Sequence, residues 1–162
     1  MHKSINNLNS IENTIKSATK NINNPSIIAV SKTFPMNDIL PLINHGHIHF
    51  GENKVQESLD KWSTIKQDFK HIKLHMVGKL QTNKVKFVIG LFDYLHSLDN
   101  FKLAEKISLE QKKKNKKIKI FIQVNIGDEP QKNGIDVDQL KNFYDKCMND
   151  LELEILGQMC LM

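Results

Sequence analysis

Ile27-Ile28-Ala29-Val30-Ser31-Lys32 opens the regular part of this chain: a short packing run, then a lysine. An apolar, partly β-branched run of that length has the size of a buried strand. The pattern returns at His47–Gly51, Lys73–Val77, Tyr94–Leu98, Ile118–Ile126 and Leu153–Leu161. Between these runs the apolar spacing becomes helical, predicting helices over Met36–Asn44, Val55–Ile65, Gln81–Ile89 and Phe101–Lys113. A last helix is predicted from a capping box at Asp136 and Gln139 to Asn149, after a turn at Gly127-Asp128-Glu129-Pro130. Upstream, Ile5, Leu8, Ile11, Ile15 and Ala18 predict an extra N-terminal helix.

About six strand–helix units without a hairpin signal argue for a parallel sheet covered by helices. No G-x-G-x-x-G follows a strand, and Gly78-Lys79 lacks the rest of a P-loop. The polar residues collect at strand ends: Lys32, Glu52-Asn53, His75, Ser97, Asn125 and Met159. A (β/α)8 TIM barrel carries its active site on that rim, so the expected fold is α/β of this type. Residues 1–162 are read as one domain. The expected barrel is C-terminally incomplete, because a closed one takes about 250 residues.

Composition narrows the function. Hydrophobic residues make up 40% of the chain and charged ones 25%, which suits a globular domain. No apolar run approaches the ~18 residues of a membrane span, so no membrane association is expected. The polar N-terminus lacks the features of a secretory signal, and two cysteines fit a reducing compartment, so the expected location is cytoplasmic. Cys160, inside the last apolar run, is expected to pack. The net charge of +5 comes entirely from lysine, with no arginine. The densest patch, Lys112 to Lys117, reads as the solvated C-terminal end of a helix, where cations suit the dipole. Without interleaved aromatics or a base-reading motif, no nucleic-acid partner is expected.

Lys32 is the residue with the most chemistry. Its stem leaves a packed strand, so its amine is expected to be partly desolvated and able to attack an aldehyde. From that residue alone, a lysine snorkelling out of a strand end is the favoured reading, because most strand-end lysines are structural. His47 and His49 share a strand face, as metal-binding H-x-H pairs do. The ends of the fifth and sixth strands supply no His, Asp or Glu to complete a site, so no metal is expected. Asn53 can cap the helix that follows, with Gln56 three residues on.

The order of the motifs says more. AVSKTFP (29–35), HFGENKVQE (49–57), LHMVGKLQTNKVK (74–86), HSLDNFKLAEKI (96–107), IQVNIGDEPQKNGI (122–135) and ILGQMCLM (155–162) resemble successive blocks of the pyridoxal 5'-phosphate (PLP) homeostasis family. The resemblance implies a single-domain barrel similar to that of alanine racemase. It implies that Lys32 forms a Schiff base with PLP. Asn53, His75 and Met159 would line the cofactor site, and Lys132 would match a family lysine linked to PLP handling. The implied role is binding, buffering and transfer of PLP, with PLP-dependent apo-enzymes as recipients and no enzymatic activity. A PLP-dependent racemase or lyase on the same barrel, or a fragment with no PLP function, are the alternatives. The family's phosphate-gripping blocks, a Ser/Gly-rich loop and an Arg-Ile-Gly-Thr stretch, fall beyond the sixth strand. The resemblance implies a monomer, whereas the two uncovered sheet edges make self-association the expectation for this chain.

Overall fold

Two periodicities organise the chain, period two in the strands and 3.6 in the helices, and they decide which face of each element is buried. The computed structural model describes residues 2–19, 25–127 and 133–161. In chain order the elements are α1 (Lys3–Thr19), β1 (Ala29–Val30), α2 (Met36–Asn44), β2 (His49–Glu52), α3 (Val55–Trp62), α4 (Ile65–Asp68) and β3 (Lys73–Met76). They continue with α5 (Val85–Leu91), β4 (Tyr94–Leu98), α6 (Phe101–Lys114), β5 (Lys119–Asn125), β6 (Ile135–Asp136), α7 (Leu140–Asn149) and β7 (Glu154–Met159). Every strand pair is parallel, in the order β1-β2-β3-β4-β5, with β6 and β7 both paired to β5.

This is the expected α/β architecture with its extra N-terminal helix, as an open arc of a barrel. Among the described residues β1 pairs only with β2 and β7 only with β5. Phe50 and Glu52 of β2 face the helices, where Phe50 lies 5.2 Å from the Trp62 ring. Leu74 and Met76 of β3 continue that layer in register, with Phe50 opposite Leu74 and Glu52 opposite Met76. Trp62, Phe50, Leu74, Val85, Val88 and Ile107 are all fully buried there. Each such side chain contributes roughly 1.5–3 kcal/mol by leaving water.

Several local expectations are corrected. The run 27–31 yields only two strand residues, because β1 has a neighbour on one side alone. Ser31 nevertheless extends the ladder, donating its N–H to the Gly51 carbonyl at 2.9 Å. The helix expected over 55–65 breaks into α3 and α4 at Ser63 and Thr64. There the Ser63 hydroxyl donates back to the Leu59 carbonyl at 2.6 Å, competing with the helical ladder. The capping box at Asp136 and Gln139 does not form; Asp136 ends β6, and a 3-10 turn over 137–139 leads into α7. Cys160 follows β7 and is exposed rather than packed.

β6 was not legible as a strand. It is two residues long and follows Gly134, whose φ of 134° suits glycine alone. A Cβ at Gly134 would stand 2.6 Å from the Asn125 nitrogen, so only glycine lets this segment reach β5. Lys112, Lys113 and Lys114 of the lysine patch lie in the last turn of α6, with Lys112 and Lys113 reaching Glu152 and Glu110; Lys116 and Lys117 lie beyond the helix, and part-buried Lys116 donates to the Gly90 carbonyl at 3.1 Å. Among the described residues no helix is long and apolar enough to cross a membrane.

Candidate functional site

The C-terminal strand ends form a polar rim. Ser97, near the end of β4, donates its hydroxyl to the Gly78 carbonyl at 2.7 Å. Gly78 in turn lies against the Asn53 backbone; a Cβ there would stand 2.8 Å from the Asn53 Cα. Backbone packing of this kind admits only glycine at position 78. Asn53 does not cap α3 as expected: Lys54 holds the N-cap position, without a side-chain cap bond. The Asn53 Oδ1 is instead buried with no hydrogen-bond partner. A buried, unsatisfied amide oxygen costs about 1–3 kcal/mol.

Lys32 lies at the same end of the neighbouring strand, one residue beyond Ser31 as Asn53 is one beyond Glu52. It is exposed on a turn, not emerging from packed surroundings as expected, because β1 is an edge strand. The turn closes through the Phe34 N–H donating to the Ser31 carbonyl at 3.2 Å. Its second central residue, Thr33, has φ 67°. A β-branched residue in that left-handed region stores roughly 1–3 kcal/mol of strain, which persists only where neighbours over-determine it.

Those neighbours come from β2 and α3. The Thr33 N–H donates to Glu57 Oε1 at 2.9 Å. Lys61 Nζ donates to the Ser31 carbonyl at 3.0 Å, to Glu52 Oε1 at 3.1 Å and to Glu57 Oε1 at 3.2 Å. Glu52, fully buried, also accepts from the Ser31 hydroxyl at 2.6 Å and from the Trp62 indole at 3.0 Å. The Thr33 N–H and the Lys61 ammonium hold the Glu57 carboxyl below its ordinary pKa. Helical spacing brings Glu57 and Lys61 together, and α3 folds back on β2 to bring both to the turn.

On the opposite face of the sheet from Trp62, three histidines form a chain across β2, β3 and β4. His49 Nδ1 lies 2.9 Å from His75 Nε2, and His75 Nδ1 lies 2.8 Å from His96 Nε2. His75 stacks on Tyr94 with ring centres 4.2 Å apart, and His96 stacks on Phe121 at 4.6 Å. Neutral imidazoles, each with one donor and one acceptor, satisfy this chain in either sense. Burial pushes the pKa of His75 down to about 3, helped by its two histidine neighbours and opposed by Asp93. Both His75 ring nitrogens are committed to the chain, so neither is open to a ligand here.

Met159 ends β7 opposite Gln123 of β5, half-buried at the far edge of the sheet from Lys32. Lys132 lies outside the described residues. His47 does not act as a partner of His49 in a metal pair; its Nε2 meets the His49 carbonyl oxygen at 2.9 Å. Among the described residues no three His, Cys, Asp or Glu side chains are placed to hold a metal ion.

Thr33, Glu57, Lys61 and Trp62 were not anticipated from the sequence. The Glu57/Lys61 spacing of four was the one available signal for the cluster. The histidine chain had a signal too, since each of three successive strands carries a histidine on the same face.

Comparison with known proteins gives this geometry a context. Residues 6–161 match the family model for the alanine racemase N-terminal domain. The pyridoxal phosphate homeostasis protein of Haemophilus influenzae is 35% identical over 160 residues, covering 96% of this chain and 67% of that protein. The structure of PipY from Synechococcus elongatus without PLP superimposes with a TM-score of 0.79 at 31% identity, covering 94% of this chain and 71% of that one. Its form with PLP bound gives 0.76 at 30% identity, covering 94% and 70%. Alanine racemase from Clostridium difficile shares the fold at a TM-score of 0.70 and 15% identity, across 96% of this chain and 40% of that enzyme. This chain therefore spans about two thirds of the homeostasis protein's length. With the blocks in order, the sheet parallel and a lysine closing the first strand, the chain belongs to the pyridoxal phosphate homeostasis protein family.

Proposed function

We propose that this single-domain chain is a cytoplasmic PLP-binding protein, holding the cofactor on Lys32 for buffering and transfer to apo-enzymes rather than for turnover. The observation that carries the proposal is the rim itself: an exposed amine on a held turn, beside the buried Asn53 acceptor that lacks a donor. PLP supplies an aldehyde whose carbon bonds to an amine nitrogen while its oxygen leaves as water. Lys32 has the exposure to present that nitrogen, and Asn53 the unmet acceptor to orient what arrives. Met159 and Lys132 are proposed as further contacts, and His75 as support beneath the rim. That relatives carry the name homeostasis protein, and that PipY is known with PLP bound, supports the same reading.

The engagements of the neighbouring acids support a role without catalysis. A racemase or lyase needs an acid and a base free to exchange protons near the lysine. Glu52 is committed to Ser31, Lys61 and Trp62, and Glu57 to the Thr33 N–H and Lys61. Tyr94 is stacked on His75, and Tyr144 is exposed on α7.

Borohydride reduction after incubation with PLP, followed by peptide mapping, is expected to place the pyridoxyl adduct on Lys32. Lys32→Ala is expected to lose nearly all of it. An unchanged adduct yield in that variant counts against the assignment.

The open edges of β1 and β7 support self-association, because an unpaired strand edge recruits another chain. Size-exclusion runs over a range of concentrations are expected to show dimers or larger species. A monomer at every concentration would show that these edges are blunted in some other way.

A further inference from the structure

Resting on Lys32 as the PLP-bearing residue, we infer that Glu52, Lys61 and Glu57 form a positioning device that sets the posture of the Lys32 turn. The three side chains grip that turn on either side of Lys32. Lys61 holds its first carbonyl, that of Ser31, at 3.0 Å. Glu57 holds its third N–H, that of Thr33, at 2.9 Å. Lys61 and Glu57 are themselves joined at 3.2 Å, so the two grips act as one clamp around Lys32. Glu52 anchors the clamp from beneath through Ser31, Lys61 and Trp62.

The clamp also accounts for the conformation of Thr33. Left to itself, a threonine in a turn avoids positive φ, and glycine is the residue that accepts it. Thr33 is held there by a carboxylate that receives its N–H, and that carboxylate is fixed by an ammonium that is 10% exposed. A turn needing only to connect β1 to α2 has no use for such a hold. A turn that must aim one lysine along a single direction does, because the orientation of Lys32 follows from the backbone angles on either side of it. Lys61 and Glu57 thus act through Lys32 and are positioning residues.

The test separates aim from stability. Thermal unfolding and PLP titration, followed by the absorbance of the lysine-bound cofactor, are measured on the 162-residue chain. The variants are Thr33→Gly, Glu57→Gln, Lys61→Met and Lys61→Arg, with Lys32→Ala as baseline. Thr33→Gly relieves the strain but frees the turn. It is expected to leave the unfolding temperature unchanged or higher while weakening PLP about tenfold. Glu57→Gln, at a partly exposed position, is expected to weaken PLP several-fold with little change in unfolding and to speed amide exchange at Thr33. Lys61→Met is expected to lose more than Lys61→Arg, which keeps a cation at the hub.

Wild-type affinity in both Thr33→Gly and Glu57→Gln overturns the inference. So does a loss of affinity that tracks loss of stability across all four variants, since that is what plain structural support gives. A wild-type chain without a Lys32-dependent band overturns the cofactor assignment and this inference together. A wild-type band that Thr33→Gly and Glu57→Gln both leave undiminished overturns the inference alone.

Discussion

Glu52→Ala will destabilise this protein by about 3–5 kcal/mol, the range for removing one partner of a buried ion pair. Glu52 has no exposed surface, and Lys61 is 10% exposed. Its carboxylate accepts from Ser31, Lys61 and Trp62 at 2.6, 3.1 and 3.0 Å. Truncation leaves a nearly buried ammonium with Glu57 as its one remaining carboxylate, strands the Trp62 indole N–H in the core, and leaves the Ser31 hydroxyl only the Gly51 carbonyl at 3.4 Å. The stranded N–H carries its own desolvation penalty. At this chain length the loss corresponds to a drop in unfolding temperature on the order of 10 °C. Glu52→Gln keeps the shape and an acceptor oxygen, so it should fall between alanine and wild type. Denaturant titrations of the three proteins check the ordering. An alanine variant within about 1 kcal/mol of wild type would mean that the cluster rearranges to satisfy itself.

Acid will unfold the protein earlier than its carboxylates alone require. The folded pKa of His75 is about 3, against 6.5 for an ordinary histidine, with burial as the main cause. Burial also lowers His49 and His96. A histidine depressed in the folded state takes up its proton only on unfolding, so below pH 6.5 the unfolded chain binds more protons. Stability contributed by the neutral ring is therefore complete above that pH. It falls as pH drops from about 6.5 towards 3. His75 alone removes ~1.4 kcal/mol per pH unit in that window, or about 3 kcal/mol by pH 4.5, and its two partners act in the same direction. Below their ordinary range, Glu57 and Glu110 add to the loss, since partners hold both carboxyls down. Unfolding free energies at pH 7, 6, 5 and 4.5 give the slope. His75→Gln, which cannot titrate there, should flatten it. Parallel slopes in wild type and variant would place the acid sensitivity elsewhere.

How much of this was legible beforehand differs between elements. Tyr94–Leu98 was placed with both boundaries correct, and Phe101–Lys113 to within one residue, because strand and helix periods are local properties of side-chain order. β6 was not, since a two-residue strand has no period; it exists because Gly134 lets the backbone come against β5. Asn53 was legible as a rim residue but not in its role. Its proposed cap went to Lys54, and the close approach of Gly78 to its backbone joins segments 25 residues apart in the chain.

By itself the sequence determined the alternation of strands and helices, the position of Lys32 at the end of the first strand, and the family, through motif blocks in a fixed order. These are matters of residue order, and order survives without coordinates. Only the tertiary structure decided that Thr33 adopts a positive φ, that Glu52, Glu57 and Lys61 converge on its turn, and that three histidines on three strands form one hydrogen-bonded chain. Each of those depends on side chains from separate elements meeting within about 3 Å. Strand register and the fold-back of α3 set such distances, and neither is written in any local stretch of the chain.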